Sequence, residues 1–373
     1  MKTDTVGLYV HIPFCVKKCA YCDFTSFSSA EFNKRTEYIE SLCAEIRSYK
    51  NRNITADTIF FGGGTPSLLS CDEFRKLSSA IYNSFNVTPS VEFTVEVNPG
   101  TVDVDKLRTF AECGANRLSI GLQSIHDNEL KKLGRIHDYC DFEKAFEFAR
   151  NIGFANINID VMYGIPDQTL LSLSKTLDVV TAKNPEHLSV YGLMLEPGTP
   201  LFASANNLKL PDEDAEADMY GLVAATLADK GYDHYEISNY AKPGYRCLHN
   251  LKYWNLDDYI GVGVSAHSCY GGKRFFNTSD PNVYISTIEE HYDHIGNGDP
   301  AEEPFEFVML ALRTSDGFSL RDYFDKFGCD FMLGRNDKIN KFINAGYMQR
   351  KGERLRITEK GFYVSNAILA ELL

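Results

Sequence analysis

Three cysteines carry the most specific chemistry in this chain. Cys15, Cys19 and Cys22 stand at C-x3-C-x2-C spacing inside residues 9–24, YVHIPFCVKKCAYCDF. A disulfide uses two thiols and leaves one over. Zinc prefers four ligands, and no C-x2-C or H-x3-H pair follows nearby. Iron–sulfur clusters take thiolates, usually four for a four-iron cube, so three cysteines would leave one iron open to a small molecule. Spacing alone leaves three alternatives in play: a cluster, zinc, or reduced structural thiols.

A second constellation is Cys247-Leu-His-Asn-Leu-Lys-Tyr-Trp254. The imidazole of His249 has the chemistry of a haem axial ligand. Tyr253 and Trp254, the latter the single tryptophan, can stack on a porphyrin or pack its edge. Cys247 is either a second thiolate ligand or inert, and the spacing is not that of a C-x2-C-H haem attachment site. Against this stands an ordinary structural histidine beside an aromatic core, which is what most histidines are.

The elements that must position these residues are legible as a repeat. Leu8, Val10 and Ile12 alternate as a strand before the cysteines. Residues 31–51 have helical spacing of Tyr38, Leu42, Ile46 and Tyr49. Residues 57–61 read as a buried strand ending in Gly62-Gly63-Gly64-Thr65-Pro66-Ser67, where bare backbone lets a ligand approach. Further strands at 91–97, 116–122, 156–162 and 187–193 each end in polar or turn residues. Helix-like stretches at 104–113, 142–152 and 170–183 lie between them. Strand then helix, six times over, predicts a parallel sheet with chemistry at the strand C-termini.

Residues 212–230 read as an acidic amphipathic helix. From about residue 300 the chain changes again. Helices at 305–313, 320–327 and 337–345, a hairpin over 347–357 turning at Lys351-Gly352, and a closing helix at 359–372 predict a winged-helix-like α+β unit. Acids and bases balance there at eleven each from 301 to 373, so no basic stripe marks a DNA reader.

Composition narrows the rest. The chain has 373 residues, 44% apolar and 24% charged, which is ordinary globular material. No apolar run of about 18 residues predicts a membrane span, and no signal-peptide h-region is visible. Ten cysteines without such a leader point to a reducing cytoplasm. A net charge of −13 argues against nucleic acid and against electrostatic docking to anionic lipid.

The string YVHIPFC with C-x-YCDF resembles the radical S-adenosylmethionine (SAM) superfamily. Within it, the chain is similar to the coproporphyrinogen-oxidase-related HemN/HemW branch, and most like its haem chaperones. The resemblance implies an incomplete (β/α)6 barrel with a C-terminal winged-helix-like domain. It implies a division into residues 1–235 (cluster and SAM barrel), 236–299 (an extension with the HNxxYW haem motif) and 300–373 (a packing or lid domain). A [4Fe-4S] cluster would sit on Cys15, Cys19 and Cys22. SAM would meet Tyr9, Tyr21, Gly63, Gly64, Thr65, Glu96, Gln123, Arg135 and Asp160. One electron from the cluster would then split the sulfonium into methionine and a 5′-deoxyadenosyl radical. Haem would meet His249, Asn250, Tyr253 and Trp254. Residues 261–268 resemble the last SAM-side segment, with His267 facing either ligand or loop. Plainer readings stay beside these: a solvated face for Glu96, a salt bridge for Arg135 and Asp160, core packing for Tyr9 and Tyr21.

Two features separate the sub-functions. The oxidases of this branch extend the triplet with another cysteine two residues on, where this chain has Phe24. They also carry a longer arm before the first strand. Both, with HNLKYW, point to a chaperone that binds haem and passes it to an acceptor, membrane cytochromes included, with dimerisation open. An oxidase acting on coproporphyrinogen is the runner-up, and a zinc- and DNA-binding regulator a distant third.

Overall fold

The computed structural model describes residues 5–287, 298–300 and 304–373. Its centre is a sheet of twelve strands. In chain order these are β1 (Val6–Ile12), β2 (Thr55–Gly63), β3 (Asn86–Val97), β4 (Arg117–Gln123), β5 (Asn156–Tyr163) and β6 (His187–Gly192). They continue with β7 (Asp233–Glu236), β8 (Asn239–Ala241), β9 (Tyr259–Val262), β10 (His267–Tyr270), β11 (Lys273–Phe276) and β12 (Asp299–Pro300). The spatial order is β12-β11-β10-β9-β1-β2-β3-β4-β5-β6-β8-β7. From β9 to β6 every pairing is parallel, and the outer strands are antiparallel. Among the described residues the sheet does not close.

Alternation decides what each strand does. Leu8, Val10, Ile12, Ile59, Phe61, Phe93, Val95, Leu118, Ile120, Ile157, Ile159 and Leu188 are buried on one face. That face is covered by α1 (Arg35–Ser48), α2 (Cys71–Tyr82), α3 (Val104–Glu112), α4 (Tyr139–Ile152) and α5 (Leu170–Ala182), which contribute Phe74, Phe110, Phe142 and Leu177 to one core. Capping boxes at Ser70/Glu73, Asp138/Asp141 and Thr169/Ser172 fix where α2, α4 and α5 begin. A sixth helix, α6 (Glu213–Asp229), buries Met219, Val223 and Leu227 against the same core. The other strand face is concave and polar, and it holds everything of chemical interest.

Three differences from the sequence reading matter. The parallel block has a seventh strand, β9, from the segment after residue 235, so that segment continues the same sheet. The HNLKYW stretch forms a helix, α7 (Leu248–Asn255), lodged against the concave face. The expected closing helix at 359–372 is two pieces, Glu359–Phe362 and α11 (Ser365–Leu372), because Val364 leaves helical geometry at the second N-cap. The C-terminal unit otherwise follows expectation. It comprises α8 (Pro304–Ala311), α9 (Leu320–Phe327), α10 (Asn336–Asn344) and the hairpin β14 (Met348–Lys351) and β15 (Arg354–Ile357) behind a short β13 (Phe318–Ser319). It has its own core of Val308, Phe318, Phe331, Ile339, Leu355 and Ile368.

Candidate functional site

The residues facing the concavity form two tiers. The lower tier is closed by α7. Glu92, on β3, accepts from the backbone N–H groups of Leu248 (3.1 Å) and His249 (3.0 Å), so a carboxylate satisfies the first donors of that helix. Cys247 Sγ lies 3.6 Å from the same carboxylate, and burial pushes its thiol up to about 12. His249 Nδ1 bonds Thr58 Oγ1 at 2.8 Å and His249 Nε2 bonds Tyr253 Oη at 2.8 Å. The ring is buried, stacks on Phe60, and is held neutral, its pKa lowered to about 3 by burial and then by Lys252. Lys252 pairs with Asp57 at 2.8 Å. His187 closes the far side, bonding Asn158 Oδ1 (2.6 Å) and Tyr235 Oη (2.8 Å).

The first choice of haem ligand therefore sits on the floor of the concavity with both ring nitrogens engaged. Ligation by His249 requires one of these two hydrogen bonds to break. Cys247 is buried as well, and its raised pKa opposes the thiolate a ligand must be. Asn250 and Trp254 are half-buried on the same helix, and Tyr253 lines a cavity.

The upper tier lies at the strand C-termini. Glu96 accepts from Gly63 N–H at 3.2 Å, and its carboxyl is pushed up to about 8 by burial and then by Asp160. Asp160 accepts from Asn158 Nδ2 at 2.7 Å and is also raised, mainly by burial. Arg135 reaches Gly121 O (2.7 Å) and Cys19 Sγ (3.6 Å), while its Nε is buried with no partner. Gln123, in the left-handed region at φ 72°, ends β4 beside it. Among the described residues, Arg135 and Asp160 do not form the salt bridge that sequence allowed. Tyr21 packs on Leu133 and Met162, and its hydroxyl is raised chiefly by burial.

The cysteine loop is tied to this tier at several points. Ala20 N–H donates to Leu133 O (2.9 Å), and Leu201 N–H donates to Ala20 O (2.8 Å). Cys15 Sγ lies 3.6 Å from Thr65 Oγ1. Gly64 N–H donates to Ile12 O, and a Cβ on Gly64 would sit 2.8 Å from Phe14 O, so only glycine lets β2 end against the loop. Gly63 adopts φ 105°, and a Cβ there would strike the His11 ring at 2.5 Å. The three thiols are partly exposed and free of disulfides. Among the described residues no three of His, Cys, Asp and Glu converge on a single-ion site.

Sequence reasoning missed His11. Its Nε2 donates to the Thr25 carbonyl at 2.8 Å, so Nδ1 accepts from Tyr9 Oη at 2.9 Å. Burial lowers its pKa to about 4. The signal was present: Tyr9 and His11 share the strand face opposite Leu8, Val10 and Ile12. Glu92 was missed in the same way. It alternates with Phe93 and so shares the polar face of β3 with Thr94 and Glu96.

Comparison with known proteins gives a consistent result. The radical SAM superfamily model matches residues 9–180, and the HemN C-terminal domain model matches residues 299–364. The heme chaperone HemW of Escherichia coli (strain K12) is 35% identical, covering 99% of this chain and 98% of its own. The heme chaperone HemW of Bacillus subtilis (strain 168) is 34% identical over 98% of each. Among solved structures, the coproporphyrinogen III oxidase HemN from Escherichia coli, a radical SAM enzyme, superposes with TM-score 0.84 at 24% identity, covering 99% of this chain and 90% of its own. That last likeness speaks to fold.

Proposed function

Because the chain belongs to the HemW family within the radical SAM superfamily, we propose that it is a haem chaperone, binding haem as cargo and passing it to an acceptor protein. The observation that carries this is end-to-end similarity to heme chaperones, at 35% identity over 99% of the chain. Phe24 in place of a further cysteine supports the same choice over the oxidase. Acceptors include membrane cytochromes, and a homodimer is part of the proposal. Among the described residues no helix is long and apolar enough to cross a membrane; a cytoplasmic location is part of the proposal.

The residents of the upper tier are a [4Fe-4S] cluster on Cys15, Cys19 and Cys22 and SAM on Tyr9, Tyr21, Gly63, Gly64, Thr65, Glu96, Gln123, Arg135 and Asp160. The chemistry of the donor set fits them. Glu96 and Asp160 are two raised carboxyls at one mouth, and a ligand carrying an ammonium and a sulfonium relieves both. Arg135 places a guanidinium on Cys19 and has a spare buried donor, as a thiolate and a carboxylate would need. Gly63 and Gly64 let bare backbone approach. When bound, cluster and SAM supply one-electron chemistry that protein side chains lack. In this reading their role is to gate haem transfer or dimerisation.

The test is haemin titration of anaerobically reconstituted protein followed at the Soret band, with product analysis on coproporphyrinogen alongside. Saturation at one haem per chain without decarboxylated product supports the chaperone. Release of carbon dioxide with protoporphyrinogen, and no haem binding, would make it an oxidase.

A further inference from the structure

The geometry points to His267, not His249, as the axial ligand of haem, in a cleft between the cysteine loop and the β9–β10 connection; this rests on the haem-chaperone reading. A cavity of about 240 Å³ is lined by Tyr9, His11, Phe24, Thr25, Tyr253, Tyr259, Ser265 and His267. Pockets that enclose a drug-sized ligand run roughly 300–1,000 Å³. An occupant as large as a porphyrin would therefore sit with an edge outside, which suits cargo that must be handed on.

The walls have the right chemistry. His267 is exposed at the start of β10, and its ring stacks on Phe276 of β11 at 5.2 Å. Among the described histidines it is the one with neither ring nitrogen hydrogen-bonded. An unengaged, solvent-reachable imidazole is what an iron ligand must offer. Phe24, which lines the cavity, and Phe276, which stacks on His267, are 69% and 64% exposed, an uncommon state for phenylalanine. Tyr253 and Tyr259 meet edge-to-face at 4.7 Å on the inner wall.

The HNxxYW motif keeps a part in this arrangement. Tyr253 belongs to the cavity wall, and His249 holds its hydroxyl at 2.8 Å. His249 is then a positioning residue acting through Tyr253. The cavity also touches the cysteine loop through Phe24 and Thr25, two and three residues after Cys22, and the Thr25 carbonyl is bound by His11. A change of state at the cluster therefore has a short covalent route to one wall of the cargo seat.

The test is haemin titration of reconstituted wild type, His267→Ala, His249→Ala and Phe24→Ala, read by Soret position and affinity. His267→Ala is expected to lose affinity by at least about tenfold, the lower range seen when a metal site loses support, and to lose the spectrum of a histidine-ligated haem. Free imidazole should restore that spectrum in His267→Gly. His249→Ala should keep the spectrum with weaker binding, and Phe24→Ala should weaken binding alone. If wild type binds haem and His267→Ala binds it with unchanged spectrum and affinity, the seat is elsewhere while the chaperone reading stands. If wild type binds no haem, that reading falls, and this assignment with it.

Discussion

Glu96 shows how a single residue joins stability to cofactor binding. Its carboxyl is raised to about 8 because it is buried and faces Asp160. The folded protein without SAM therefore holds a proton there that the unfolded chain, near 4.5, releases. The stability this confers is full below about 4.5 and is lost as pH rises through about 8. Glu96→Gln fixes the neutral state and can still accept from Gly63. The SAM-free variant should melt above wild type at pH 8.5 by roughly 2–4 °C, the shift expected for about 1 kcal/mol, with the difference vanishing at pH 4. On the proposed assignment, the same variant binds SAM more weakly. Calorimetric melts at the two pH values and a SAM titration check both. A higher wild-type melting point at pH 8.5 would mean that Glu96 is paired and not strained.

At the scale of elements, α7 is the unusual feature. It is eight residues long and too short to persist on its own in water. It exists because β3 supplies Glu92 to its N-terminus, β2 supplies Thr58 and Asp57, and Leu256 ends it in the left-handed region at φ 54°. Arg117, fully buried below, also draws on the Glu92 carboxylate for its charge balance. Glu92→Ala should cost about 3 kcal/mol, as expected when a buried donor set and a buried cation both lose their acceptor. Urea unfolding measures it, and a loss under about 1 kcal/mol, the net worth of one ordinary hydrogen bond, would show that α7 is held by its packing. Glu45 plays a matching part on the outer side. It accepts from Gly263 N–H (2.8 Å), Asn277 Nδ2 (2.7 Å) and Tyr284, pinning α1 to the turn that leads to His267.

The described residues form two large cores, one under the large sheet and one in the C-terminal unit, and a small third apolar cluster of Leu133, Met162 and Ile165. The two large cores meet where Tyr220 and Ile237 pack on the C-terminal one, with Arg246–Asp316 (2.9 Å) and His234–Glu359 (2.7 Å) at the rim. The cysteine loop touches these cores only through Tyr21 on the small apolar cluster and Phe27 on the core under the sheet. It is fastened by a handful of backbone bonds and by His11. Chelating the cluster out of reconstituted protein should therefore speed amide exchange in residues 15–27 and leave the C-terminal hairpin unchanged. Mass-spectrometric hydrogen exchange reads this directly. Faster exchange across β13–β15 would instead mean that the cluster organises both cores.

The six-fold strand–helix repeat, the cysteine triplet and the C-terminal helices with their hairpin were all legible in the chain. Each depends on local periodicity or on residues close in sequence: Leu8-Val10-Ile12, C-x3-C-x2-C, the Lys351-Gly352 turn. What sequence could not say was which side of the molecule a motif faces. HNLKYW reads equally as a haem motif or as a structural histidine beside aromatics until Thr58, 191 positions earlier, takes one ring nitrogen of His249 and Glu92 takes its helix N-terminus. His267 reads as one loop histidine among several until Phe24 and Tyr253 are brought to its side. Strand and helix follow from the spacing of apolar side chains along a few turns of chain. The partners of a buried polar group come from distant segments, and only the closed fold decides whether a ring nitrogen meets a hydroxyl or stays open to a ligand.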